Sequence, residues 1–269
     1  MKVSIDITGY LGKQFYIGNH FFEIAAAYAY AQRHGRALYL PTRGAGTEPF
    51  IYSGYFEKCL PFVRDLEGDV ARYSEPAFSY NEIPATNLPG VCLQGYFQSE
   101  KYFAEYAAEL RILFHPPPSI SLKAVERWGA YLGSPETHVL VHARRGDYLK
   151  AAAFHNPLPL QYFLNAMAEM RKHVASPTFI LMSDEPEFWK DISDDSVIVD
   201  EKDPEVALCF MTQFKNYIIA NSTFSWWASY LSPFADQGLV IAPKQWFGPS
   251  GHRDTADVYR RGMILIDQV

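Results

Sequence analysis

Val139-Leu140-Val141-His142-Ala143-Arg144-Arg145-Gly146-Asp147-Tyr148 runs from an apolar β-type segment straight into two adjacent arginines. Two guanidinium groups side by side at the end of a strand repel each other, and folding tolerates this poorly unless an anion lies between them. Arg is also the side chain suited to bidentate contact with phosphate. A strand delivering such a pair at its C-terminal end predicts a diphosphate site at the mouth of an α/β sheet. The plainer alternative is a surface salt bridge with Asp147.

Strand-like and helix-like segments alternate around this stretch. Pro116-Pro117-Pro118 breaks the chain. Beyond it the pattern predicts helix 121–132, strand 138–142, helix 160–173, strand 178–182, strand 197–199, helix 205–214, strand 217–220, helix 222–231 and strand 239–242, with no helical period directly after Tyr148. Before it, Val3 to Ile7 reads as a strand closed by Gly9 and Gly12. Residues 19–33 read as a helix capped by Asn19 and ended at Gly35, residues 37–40 and 91–93 as strands, and residues 99–114 as a helix capped by Ser99. Residues 41–90, rich in Gly, Pro and aromatics, carry no segment assignment. Such alternation implies an α/β protein of parallel sheets flanked by helices. Two lobes, 1–117 and 118–269, with a cleft between them are the economical architecture.

Composition narrows the function. The chain has 269 residues, 48% hydrophobic and 20% charged, which predicts a globular protein. A formal net charge of -6 disfavours a nucleic-acid binder but allows a local basic pocket. Cys59, Cys92 and Cys209 are odd in number and far apart, so they form neither a metal spacing nor a disulfide framework, and a reducing compartment fits. Met1-Lys2-Val3-Ser4-Ile5-Asp6 places an acid where a signal peptide needs an apolar run, and no stretch reaches the ~20 apolar residues of a membrane span. The expectation is a soluble cytoplasmic protein, at most peripheral to a membrane. Phosphate-loop, dinucleotide and nucleophile-elbow signatures are missing, as is any Asp-x-Asp to hold a metal on a nucleotide diphosphate.

Four further motifs carry chemistry. Ala220-Asn221-Ser222-Thr223-Phe224-Ser225-Trp226-Trp227 follows the apolar strand Tyr217-Ile218-Ile219, so hydroxyls and helix-start N–H groups make either an anion cradle or an ordinary cap. Ile180-Leu181-Met182-Ser183-Asp184-Glu185 puts acids at a strand's C-terminal end, facing a ligand crevice or capping the next turn. Gly18-Asn19-His20 opens the first helix. Leu93-Gln94-Gly95-Tyr96-Phe97-Gln98 leaves a strand with aromatics and amides, as an acceptor wall or as a structural aromatic cluster.

In this order, together with Gly95-Tyr96-Phe97-Gln98-Ser99-Glu100-Lys101-Tyr102-Phe103 and Pro243-Lys244-x-Trp246-Phe247, the motifs resemble the alpha-1,2-fucosyltransferases of glycosyltransferase family 11. The resemblance implies a GT-B fold of two Rossmann-like lobes, 1–117 on the acceptor side and 118–269 binding the nucleotide sugar. It implies GDP-fucose as donor, the 2-hydroxyl of a galactose-terminated glycan as acceptor, inversion at the anomeric carbon, and no metal. It assigns Arg144 to the β-phosphate, with Arg145 helping or pairing with Asp147. Asn221, Ser222 and Thr223 take the remaining phosphate oxygens, with Asp184 and Phe224 in the same donor site. His142 positions the loop or touches the nucleotide, Asn19 lies near the sugar, and Tyr96 and Gln98 meet the acceptor.

Two departures from the family pattern stand out. His20 and Glu23 occupy positions where amides are usual; they are either general bases or structural, and Asp147, Glu23 and His20 are the candidate bases in that order. Ala207 stands where an acid is expected to read the guanine edge, leaving Asp200, Asp203 or Glu205 as substitutes. Two other readings therefore stay open: a transferase using a different nucleotide sugar, and a carbohydrate-binding protein that has lost turnover.

Overall fold

The computed structural model describes residues 1–7, 17–43, 52–192 and 196–268. Gly9 and Gly12, expected to close the first strand, lie outside the described residues. The chain divides into two units, one of Met1–His115 with Ala256–Arg260, the other of Pro116–Thr255 with Arg261–Val269. Each is built on a parallel sheet carrying helices, an α/β architecture.

The first unit comprises β1 (Lys2–Asp6), α1 (Ile17–Arg33), β2 (Ala37–Leu38), β3 (Val70–Ser74), β4 (Gly90–Gln94) and α2 (Ala107–Leu113). Its sheet runs β2-β1-β4-β3, parallel throughout. Helix α1 buries Phe22, Ala25, Ala26 and Ala29, as its periodicity requires, and ends where Gly35 turns left-handed at φ 57°. It starts at Ile17, so Asn19 sits inside its first turn instead of capping it.

Sequence reading missed β3. Val70-Ala71-Arg72-Tyr73-Ser74 is a sheet-edge strand with no buried residue, so no apolar alternation was needed to place it. Residues 99–114 are not one helix. Ser99 caps a short 3-10 turn at Glu100–Tyr102 by accepting from the Lys101 N–H, a second turn spans Ala104–Tyr106, and α2 follows. The returning segment is tied in by Asp257, which pairs with Lys101 and accepts the Tyr80 N–H at 2.8 Å.

The second unit comprises α3 (Pro118–Trp128), β5 (His138–Ala143), α4 (Gly146–Lys150), α5 (Ala152–His155), α6 (Leu160–Met170), β6 (Thr178–Ser183), β7 (Ser196–Val199), α7 (Pro204–Met211), β8 (Asn216–Ile218), α8 (Thr223–Leu231), β9 (Val240–Pro243) and β10 (Ile264–Ile266). Pro118 opens α3 at the position where its missing N–H costs nothing. The sheet runs β10-β9-β8-β5-β6-β7, again parallel. The short helices α4 and α5 replace the aperiodic stretch expected after Tyr148.

The core follows from two periods. Val139, Val141 and Ala143 on β5, with Phe179 and Leu181 on β6, point to one face at every second residue. Tyr162, Phe163, Ala166, Met167 and Met170 meet them at the three-to-four-residue spacing of α6. Phe163 lies at its centre, edge-on to Tyr162, Phe188 and Trp189. Phe163→Ala is expected to lower the unfolding free energy of this unit by ~3–5 kcal/mol, the cost of an aromatic-sized cavity; chemical denaturation measures it, and a loss near zero would mean the core refills.

Candidate active site

Loops leave a parallel sheet in opposite directions where its strand order reverses, and ligands bind in the crevice that opens at the C-terminal ends there. In the second unit β5, β6 and β7 run outward on one side and β8, β9 and β10 on the other, so the reversal falls between β5 and β8. There β5 delivers Arg144 and Arg145, β8 delivers Asn221 and Ser222, and the neighbouring β6 delivers Asp184.

The two arginines do not converge on one place. The Arg144 guanidinium sits 2.8 Å from Asp147 and 3.2 Å from Asp184, with its side chain still partly exposed. Arg145 turns away. Its guanidinium stacks 4.2 Å from the Phe188 ring centre and donates to the Leu158 carbonyl at 3.0 Å. Repulsion between neighbouring cations is thus relieved by separate partners, and Arg144 is the one that pairs with Asp147. Asp184 also accepts the Arg145 backbone N–H at 2.8 Å, so a single carboxylate holds both the turn and the Arg144 side chain. Gly146 makes room for it: a Cβ there would lie 2.7 Å from Asp184 Oδ2.

Asn221 does not offer its amide to a ligand. Its Nδ2 donates to the carbonyls of His155, Asn156 and Trp246, the last at 2.7 Å, clamping two loops to the end of β8. Its Oδ1 is buried and accepts no hydrogen bond. The Tyr148 hydroxyl donates to the Asn221 carbonyl at 3.0 Å and is hydrogen-bonded by Ser222. The Tyr148 ring stacks on His155, centroids 4.2 Å apart. Burial pushes the Tyr148 phenol up, against the nearby Arg144. The sequence alone assigns no role to Tyr148 or His155, although Tyr148 stands inside the quoted motif.

Ser222 precedes α8 without capping it, and the first turn of that nine-residue helix holds no acid. The positive end of its dipole is therefore not neutralised by its own side chains. Thr223 and Phe224, both partly exposed, occupy that turn. His142 is buried, with its ring 5.7 Å from Phe224 and its Nδ1 without a hydrogen-bond partner. Burial first, and then Arg144, lower its pKa to about 3.

In the first unit the Gln98 amide donates to Asn19 Oδ1 at 3.1 Å, bringing two expected site residues together. Tyr96 is exposed. His20 and Glu23 are buried within α1, which makes both poor candidates for a base on a bound hydroxyl. Glu75 had no sequence signal. Its Oε2 accepts the Tyr96 and Phe97 N–H groups at 2.9 and 3.0 Å, and its Oε1 accepts the Tyr102 hydroxyl at 3.3 Å. Burial raises its pKa, opposed by these bonds. Gly95, at φ 150°, has no room for a Cβ beside it.

Ala207 is buried in α7, and Asp203 spends its carboxylate on the Glu205 and Val206 N–H groups as that helix's cap. Asp200 pairs with Lys202 at 2.6 Å. Among the described residues no group of three or more His, Cys, Asp and Glu side chains is arranged to hold a metal, and no helix is long and apolar enough to cross a membrane.

The glycosyl transferase family 11 model matches residues 69–267, and the chain belongs to that family. An alpha-1,2-colitosyltransferase of Escherichia coli is 27% identical over 264 residues, covering 86% of this chain and 89% of that one. A galactoside alpha-(1,2)-fucosyltransferase 1 of Bos taurus is 32% identical over 250 residues, covering 86% and 68%. Among solved structures, the NodZ alpha-1,6-fucosyltransferase soaked with GDP-fucose aligns with a TM-score of 0.55 at 15% identity, over 86% of this chain and 93% of that one. A point mutant of FUT1 of Arabidopsis thaliana in complex with GDP aligns at 0.53 and 12% identity, over 90% and 70%. The fold is GT-B-like.

His142 gives a pH test. Neutral when folded, it gains a proton in the unfolded chain below pH ~6.5, so its contribution to stability is complete above that value. The contribution is lost as pH falls through the window down to about 3. The melting temperature of wild type is expected to drop more between pH 7 and pH 5 than that of His142→Phe; equal drops would remove His142 as the cause.

Proposed function

We propose that this chain transfers fucose from GDP-fucose to the 2-hydroxyl of a terminal galactose, with inversion and without a metal. The second unit binds the donor and the first supplies acceptor contacts. The observation that supports this reading best is Arg144, steered by Asp147 and Asp184 at the β5–β8 reversal in the same unit as the uncapped start of α8. As the bond from the anomeric carbon to the diphosphate breaks, its electron pair passes to the β-phosphate. A fixed guanidinium and helix-end N–H groups meet that charge without reorganising, which is usually the largest catalytic contribution. Thr223 adds a hydroxyl at the helix start, and Phe224 over His142 offers a face for the nucleotide. Asn221 acts by holding the loops, not by touching phosphate.

The acceptor hydroxyl loses its proton late, to solvent water, after its oxygen has begun to bond the anomeric carbon. Asp147 is already engaged with Arg144, and His20 and Glu23 are buried, so none of the three is poised to take the proton early. The α-1,2 linkage is shared by the names of the colitosyl and fucosyl relatives and is carried over on that ground. A second reading keeps this linkage but changes the donor. It is favoured by Ala207 in place of an acid and by the colitosyl relative, which covers nearly the whole chain.

Calorimetry with GDP, UDP and ADP separates these readings from one that does not select guanine: GDP is expected to bind and the others not, and equal binding would sink the GDP-sugar assignment. With GDP-fucose, linkage analysis of the product tests the sugar and the bond. Arg144→Ala is expected to reduce transfer at least ~100-fold, the scale of one lost charged donor; turnover near wild type would remove Arg144 from the site. Glycan binding with no GDP release on any acceptor would identify a binding protein instead.

A further inference from the structure

In the first sheet β1 and β4 are the two central strands, with β2 outside β1 and β3 outside β4. The parallel register sets Asp6, the last residue of β1, beside Gln94, the last of β4, and sets Ser74 of β3 beside Gln94 on its other flank. Their side chains form one network. The Gln94 amide and Arg72 Nη1, the latter at 3.2 Å, both donate to Asp6 Oδ2. The Cys92 thiol donates to Asp6 Oδ1 at 3.1 Å, and the Ser74 hydroxyl donates to Gln94 Oε1 at 3.0 Å. None of these residues has a part in the donor chemistry.

The network is a poor structural device. Asp6 and Arg72 keep 38% and 61% of their side-chain surface exposed, and an exposed ion pair adds little stability. It is well suited to recognition. A carboxylate offers about four acceptor sites, of which three are occupied here, and a guanidinium carries about five N–H donors, most of them not spent on Asp6. An acceptor flanked by donors complements neighbouring sugar hydroxyls, each of which donates to one group and accepts from another. The exposed ring of Tyr96 follows two residues after Gln94. Arg72 and Gln94 both hold the carboxylate through the same oxygen.

We propose that this edge is a carbohydrate-hydroxyl subsite. Asp6 accepts a hydrogen bond from one hydroxyl of a neutral acceptor sugar, and Arg72 and Gln94 donate to its neighbours. The proposal deepens the fucosyltransferase reading and rests on its placing of the acceptor in the first unit. Saturation-transfer NMR with lactose, N-acetyllactosamine and lacto-N-biose, run beside GDP calorimetry, tests it on wild type, Asp6→Asn and Arg72→Ala. GDP is expected to bind all three proteins alike. At least one sugar is expected to bind wild type, with affinity falling about tenfold or more in each variant, the scale of one lost charge-assisted hydrogen bond. Unchanged sugar binding in both variants overturns the subsite, and so does the absence of any signal from wild type. Sugar binding lost in the variants while GDP binds none of the proteins supports the subsite and defeats the donor reading instead. Arg72→Ala, at an exposed position, keeps the test decisive if Asp6→Asn melts early.

Discussion

Asp184 is the constraint on which the second unit's crevice depends. One oxygen receives the Arg145 backbone N–H and fixes where β5 turns into α4; the other lies against the Arg144 guanidinium and fixes where the cation points. Main-chain and side-chain geometry are thereby locked to one group at the end of the adjacent strand, and the parallel pairing of β5 with β6 sets its position. The grip requires a residue without a Cβ at 146. Preorganisation of this kind matters when charge develops during a reaction, because a cation that must first be gathered costs part of what it returns.

Much of this could be read from residue order. Apolar β-runs alternating with helical periods specify parallel sheets, and the motif His142-x-Arg144-Arg145-Gly146-Asp147-Tyr148 marks the end of the strand that borders the order reversal. The illegible parts share a cause: they are fixed by partners remote in the sequence. Arg144 and Arg145 look equivalent as neighbours, yet Phe188 and Leu158 claim one and Asp184 the other. Asn221 looks like a ligand group until Trp246 and His155 take its amide. Glu75 carries no local signal, because its purpose is to receive N–H groups about twenty residues away. Edge strands β3 and β10 escaped notice because little of either is buried.

The two units carry different chemistry at the same end of their sheets. In each, polar side chains collect at the C-terminal ends of neighbouring parallel strands. In the second unit the collection is a steered cation and a helix end, suited to an anion. In the first it is a shared carboxylate among an amide, a guanidinium and two hydrogen-bonding side chains, suited to hydroxyls. A transferase needs both kinds of surface, and the C-terminal edge of a parallel sheet supplies a place for each.

The clamp made by Asn221 has a consequence for folding. Its amide waits for the carbonyl of Trp246, and the loop it holds is pinned again by Asn156, which bonds Gln268 at 2.6 Å. Strands β5 and β8 can pair without either of these partners, and the bond between Asn156 and Gln268 spans a longer stretch of chain than that pairing does. The corner at the end of β8 is then among the last parts of the second unit to order, after the sheet that carries it.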